Sequence, residues 1–301
     1  MSRASAPHSF RPIQVALLVV ALASLSSLPQ AEAGAWTRSF GDHYVKLGAD
    51  FYKAISYVDP ATGEEVSGLD FFGQQYSLYG EVGVLPWWPL QIGVLLPVSV
   101  GTLSFTDDNL FAEGERARAT SARLGDLRVS VQTSILKKGF QLSPAIELKI
   151  PLYSNDSIGS EFDTWSQAFP MPGEGQIDVT AWLLMGSSIP KAPVFVQGGV
   201  GYRHRTEHFI GWDTDLEFVD GLPLTATVGA TFGRFLGMLQ LDAIKNFRED
   251  ETTAENVSLG FSAFVTVWKG LAVEARVAGD VWANNTSRGV SFGAGLSWRS
   301  L

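Results

Sequence analysis

The chain has 301 residues, no cysteine, 22 basic and 31 acidic side chains and a formal net charge of −9. The missing thiols exclude a disulfide-stapled secreted domain, thiol catalysis and cysteine-ligated metals. The acidic balance excludes a nucleic-acid partner held by charge, and no later run of about 18 apolar residues supplies a spanning helix.

The N-terminus reads as an export signal. Arg3 and Arg11 give a positive start, Val15 to Leu25 an apolar core too short to span a bilayer, and Ala31-Glu32-Ala33 a cleavage site. Residues 1–33 are therefore expected to be a signal peptide. Residues 34–301 are expected to form a single domain, since no Pro- or Ser-rich linker or composition break divides them.

From there the sequence keeps one rhythm. Apolar residues recur at alternate positions for about ten residues and a polar break follows, the pattern of a strand with one apolar face. In chain order the segments are 45–51, 76–84, 90–100, 127–135, 142–150, 177–185, 194–202, 224–232, 239–243, 257–267, 271–277 and 290–298. The third is the clearest, with Leu90, Ile92, Val94, Leu96, Val98 and Val100. The fourth sets Leu127, Val129 and Val131 against Asp126, Arg128, Ser130 and Gln132.

The connections alternate in length. Short ones fall at 85–89, 137–140, 187–193, 233–234 and 268–270; longer ones at 56–70, 101–124, 152–176, 206–221, 248–256 and 283–289. Aromatic residues gather at the short-turn end (Trp87, Trp88, Phe140, Phe235, Trp268, Trp298), and Phe51, Phe72, Tyr202, Phe247 and Trp282 gather near the other. Short periplasmic turns, long outer loops, an even strand count and two aromatic belts describe an outer-membrane barrel. Lipid cannot satisfy free backbone N–H and C=O groups, so such a sheet must close. The predicted fold is an all-β transmembrane antiparallel up-and-down β-barrel of about twelve strands. The soluble alternative, a sandwich or lipocalin-like barrel, would turn the same apolar face inward. Export, belts and turn alternation argue against it.

Several stretches resemble the bacterial family of MetA-pathway phenol-degradation outer-membrane proteins. They are Tyr79-Gly80 with the Leu85-Pro86 turn and Leu96-Pro97, Gly125-Asp126-Leu127 opening a strand, and Ile150-Pro151 closing one. Gly173-Glu174-Gly175-Gln176-Ile177-Asp178 and Gly201-Tyr202-Arg203 complete the likeness. After Pro151 the chain departs from the family, with Leu152-Tyr153 in place of its Thr-Gly. The resemblance implies a transporter-like barrel with a role in uptake of small, often aromatic, molecules.

The polar face carries the candidate site. Glu81, Asp126, Glu147, Asp178, Asp242, Glu274 and Asp280, with Lys46, Arg128, Lys149, Arg203, Arg205 and Arg276, are placed to line a lumen and set selectivity. Equally, they can pair with one another and fill a closed interior. Twelve strands lie between the filled eight-strand barrel and the open channel of about sixteen. Glycines on that face, among them Gly83, Gly93, Gly201 and Gly229, leave room inside. In the 101–124 loop, Glu113, Glu115, Arg116, Arg118 and Arg123 are the gating candidates if the loop folds inward.

Two enzymatic patterns fail on geometry. His204-Arg205-Thr206-Glu207-His208 matches an inverted zinc-protease motif, but that motif needs a helix; in a strand, i and i+4 lie about 13 Å apart. A lipid hydrolase needs a His beside a Ser on the outer surface, and His204 has no evident serine partner. The sequence thus points to no catalytic residues, no metal and no cofactor. Its expected partners are membrane lipid, lipopolysaccharide and a small-molecule solute, with a monomer favoured. The function it points to is a narrow channel for small, often aromatic or hydrophobic, solutes. The alternatives are a structural or partner-binding barrel with a plugged lumen, and a lipid-modifying hydrolase.

Overall fold

The alternating segments become strands that are longer than their apolar stretches. A computed structural model describes residues 34–58, 65–105, 117–136, 139–153, 173–209, 218–248 and 253–300; the expected signal peptide lies outside them. The strands are β1 (His43–Val58), β2 (Glu65–Gly83), β3 (Leu90–Phe105), β4 (Ala117–Leu124), β5 (Asp126–Thr133), β6 (Phe140–Pro151) and β7 (Gln176–Ser188). The remainder are β8 (Val194–Phe209), β9 (Gly221–Phe232), β10 (Phe235–Asn246), β11 (Glu255–Trp268), β12 (Leu271–Asn284) and β13 (Thr286–Arg299).

Neighbours in the sheet pair antiparallel, and β1 pairs with β13 from Tyr44↔Arg299 to Val58↔Thr286, so the sheet has closed on itself. Thirteen strands make twelve staves, because β4 and β5 are one stave broken at Gly125. β3 pairs through Leu90–Leu95 with β5 and through Val98–Phe105 with β4. At the break Pro97 has no N–H to give, and its carbonyl instead accepts the Gly125 N–H at 2.9 Å. A Cβ on Gly125 would stand 2.9 Å from the Pro97 ring, so glycine lets the two chains stay in contact there.

Turn chemistry fixes the short connections. β9 and β10 are joined by Gly233-Arg234, with Gly233 at φ +61°, the left-handed first position of a two-residue hairpin. The connection at 283–289, expected to be a long loop, is instead largely strand, since β12 runs to Asn284 and β13 begins at Thr286. Asn285, at φ +51°, lies between the end of β12 and the start of β13, a conformation asparagine tolerates better than other non-glycine residues, and the two strands pair with each other only as far as Gly279↔Val290. The expected 101–124 loop is also shorter, since β3 runs to Phe105 and β4 begins at Ala117.

The apolar face points outward. Leu47, Val94, Val131, Ile146, Val228, Leu239, Phe261, Val277 and Phe292 are all exposed, while Gln91, Gln132, Lys149, Asp178, Thr227, Gln240, Ser262 and Glu274 on the opposite face are buried. This inversion is what hydrocarbon demands and water forbids. Trp87, Trp88, Phe140, Phe235, Trp268 and Trp298 form an exposed belt at the short-turn end, and Tyr202, Phe247 and Trp282 are exposed at the other.

Candidate functional site: the barrel lumen

The lumen holds a guest from its own chain. Residues 34–38, ahead of β1, run inside the barrel, and residues 39–41 are exposed at its end. The segment is anchored first at the end of β2, where Gly41 N–H donates to the Gly83 carbonyl and Gly83 N–H to the Asp42 carbonyl, each 3.0 Å. It is then held by inward side chains around the wall. Gln91 Oε1 accepts the Arg38 N–H at 2.9 Å, Thr37 and Ser134 hydroxyls lie 3.0 Å apart, Ser143 donates to the Ala35 carbonyl, and Gln132 donates to the Gly34 carbonyl at 2.8 Å. Ala35 is 1% exposed.

Rings seat this segment. Trp36 stands edge-on to Phe195, with centroids 5.8 Å apart. A Cβ on Gly186 would come within 2.8 Å of the Trp36 ring, and one on Gly229 within 2.2 Å of the Phe195 ring. The inward glycines therefore do make room, as their parity suggests, but aromatic side chains occupy it. Gly201 likewise receives the Trp182 ring.

The sequence-predicted charges sort into one pair and two clusters. Glu81, on β2, forms an ion pair with Arg38 of the inserted segment and also accepts from Tyr79 (2.9 Å) and Gln91 (2.7 Å). The first cluster lies on β5–β8. Arg128 meets Glu147 at 3.2 Å, Lys149 meets Asp178 at 2.7 Å and Glu174 at 3.5 Å, and Arg205 meets Glu174 at 2.6 Å. Asp126 accepts from the Tyr153 hydroxyl at 2.9 Å. Arg203 shares the inward face of β8, opposite Thr180 in the register.

The second cluster lies across the lumen on β1 and β10–β13. Lys46 pairs with Glu274, and Arg276 lies with both beside Asp50. Asp242 accepts from Thr225 at 2.8 Å. Asp280 accepts from Tyr52 (2.9 Å), Ser258 (2.8 Å) and the Gly289 N–H (3.1 Å). Each cluster thus gathers buried charges of both signs, some as direct ion pairs, while Asp126, Asp242 and Asp280 are met by hydroxyl donors.

The gating expectation needs correction in part. Arg118 and Arg123 lie on the strand β4, not in a loop, because the stave continues past Gly125. Glu113, Glu115 and Arg116 lie outside the described residues. The element that enters the described lumen is the N-terminal segment. The expectation missed it because its residues, Gly34-Ala35-Trp36-Thr37-Arg38, have no strand period. Glu174, Asp50 and Tyr153 were missed too; the first and last flank β7 and β6 rather than lying within a strand.

The zinc-protease pattern lies entirely on β8, which extends to Phe209, so its histidines are spaced along an extended backbone. His204 points outward and is exposed, and its ring lies 3.1 Å from Asp220, which also accepts from Tyr202.

The chain is similar to the COG4313 outer membrane channel from Pseudomonas putida F1, with a TM-score of 0.65 at 12% identity, covering 91% of this chain and 100% of that one. It is also similar to the translocator domain of the autotransporter NalP from Neisseria meningitidis, with a TM-score of 0.50 at 12% identity, covering 91% and 93%. Neither a protein-family profile nor any curated protein matches it. The fold is that of the bacterial outer-membrane barrels.

Proposed function

We propose that the chain is an exported outer-membrane protein, processed after Ala33, that serves as a narrow conduit for small solutes, closed at rest by its N-terminal segment. One observation carries this reading: a stretch of the chain's own backbone, residues 34–38, lies inside the described lumen. It is held by scattered hydrogen bonds, one ion pair and two ring contacts, Trp36 with Phe195 and Arg38 over Tyr44, rather than by a packed apolar core. A plug of that kind can be displaced without unfolding the sheet. The two compensated clusters on facing walls would present both signs of charge to a passing solute and favour small polar or dipolar groups. The overall likeness to an outer-membrane channel agrees with this reading. So does the resemblance to the phenol-degradation family, which adds small aromatic solutes. No catalytic step is assigned.

The test is conductance in planar bilayers, together with solute-driven swelling of liposomes, for the processed protein and for a variant lacking residues 34–40. The intact protein is expected to give small, infrequent openings and the truncated one a larger, steady conductance. Absence of ion or solute flux in both would remove the conduit and leave a structural barrel.

A further inference from the structure

Beside the inserted segment, at the short-turn end, lies a cavity of about 380 Å³. That is within the range of small-molecule sites, about 300–1,000 Å³. Its walls include the rings of Trp36, Tyr44, Phe195 and Phe264, and its rim carries Arg234 and Arg299. This composition is unusual for the molecule in two ways. The chain is acidic overall, yet no carboxylate is among the residues lining this cavity. Arg38, also in the lining, is held by Glu81, whereas Arg234 and Arg299 have no ion-pair partner among the described residues.

Tyr44 adds an independent indication. It is 6% exposed, and its hydroxyl is buried without a hydrogen-bond partner. A buried donor left unmade costs stability, so such groups usually have a partner or await one. A neutral hydrocarbon in the cavity would leave that hydroxyl and both guanidinium groups as they are. An organic cation would be repelled by the rim. An anion with a planar apolar body satisfies all three features: the rings take its face or edge, the phenol donates to it, and arginine forks match a carboxylate.

We propose that this cavity is a binding site for small aromatic carboxylates, with the ring against Trp36 and Phe195 and the carboxylate toward Tyr44, Arg234 and Arg299. The proposal deepens the conduit reading and rests on it for the ligand's passage through the wall; binding at the site does not depend on passage.

The experiment is calorimetric titration of the full processed protein in detergent micelles with sodium benzoate, benzyl alcohol and benzylamine. Benzoate is expected to bind saturably and at least tenfold more tightly than the alcohol, with benzylamine weakest. In a protein carrying both Arg234→Gln and Arg299→Gln that preference is expected to vanish, while benzyl alcohol binds as before. Both substitutions are at exposed positions, and a heat-dependent shift in gel mobility checks that the barrel is intact. Tyr44→Phe removes only an unpaired hydroxyl and is expected to weaken benzoate several-fold without affecting the alcohol. Equal binding of benzoate and benzyl alcohol by the unmodified protein would overturn the site, as would a preference that survives the double substitution. Conductance distinguishes this failure from failure of the conduit. A conducting barrel with no benzoate preference rejects the site alone, and a benzoate-binding barrel that never conducts rejects the conduit alone.

Discussion

Glu81 holds Arg38 from the wall of β2 and is itself held by Tyr79 and Gln91, so the inserted segment is fastened to a carboxylate whose position is already fixed. Replacing that carboxylate by an amide keeps the shape of the wall and removes the charge. Glu81→Gln is therefore expected to loosen the segment and raise mean single-channel conductance several-fold, leaving the barrel's resistance to heat in detergent unchanged. A Glu81→Gln protein that conducts no better than the unmodified one would show that the ion pair does not restrain the segment.

Lys149 compensates Asp178 and Glu174 together, and all three are buried. Lys149→Met would leave two carboxylates facing one another with only Arg205 between them. Breaking a buried ion pair by removing one partner costs about 3–5 kcal/mol. The expected outcome is a loss of that size in urea-induced unfolding from lipid vesicles. A loss under about 1 kcal/mol would mean that water in the lumen already screens the cluster.

Ile146 is 59% exposed at the middle of β6, between Val131 and Ala181 on the neighbouring staves. On a lipid-facing wall an arginine at the bilayer midplane costs about 2–4 kcal/mol. Ile146→Arg is thus expected to destabilise the barrel in vesicles by that amount. In a soluble protein an exposed arginine at this position would be nearly neutral, so the same measurement tests whether this face contacts hydrocarbon.

The strand pattern was legible because lipid imposes it. Positions such as Ile92, Val131 and Leu239 had to be apolar and their neighbours polar, and the side-chain period of two then fixed which face each residue took. Strand ends were less legible. Beyond the hydrocarbon a strand needs no alternation, which is why β3 and β4 continue through Leu103 and Ala119 where a loop was expected. Within the lumen the charged residues were recoverable from parity, but their partners were not. Lys149 and Asp178 face each other by register, whereas Glu174 reaches them from outside any strand. The aromatic half of the interior left the weakest signal. Trp182 and Phe195 sit at polar-face positions and interrupt the very alternation by which strands are recognised.

At the rim opposite the short turns, Asp220 offers a pH test. Partial burial pushes its pKa up, but hydrogen bonds from Tyr202, from the Arg205 N–H (2.8 Å) and from His204 outweigh this and hold it below the ordinary carboxylate range. A carboxylate with a depressed folded-state pKa contributes stability that is fully present above its unfolded value and is lost as pH falls through the folded one. The stability difference between the unmodified protein and Asp220→Asn is therefore expected to shrink as pH falls from about 5 to about 2. A difference that widens on acidification would contradict the arrangement of donors.

The docking of residues 34–38 has a bearing on biogenesis. Its contacts come from β2, β3, β5, β6 and β8, strands on one continuous arc of six of the twelve staves. A flat sheet would hold the two ends of that arc apart, and the seam between β1 and β13 joins the two ends of the chain's sheet. The segment can thus settle only once that arc has curled. A nascent barrel would pass through a leaky stage, and sealing against the periplasm would mark the completion of insertion.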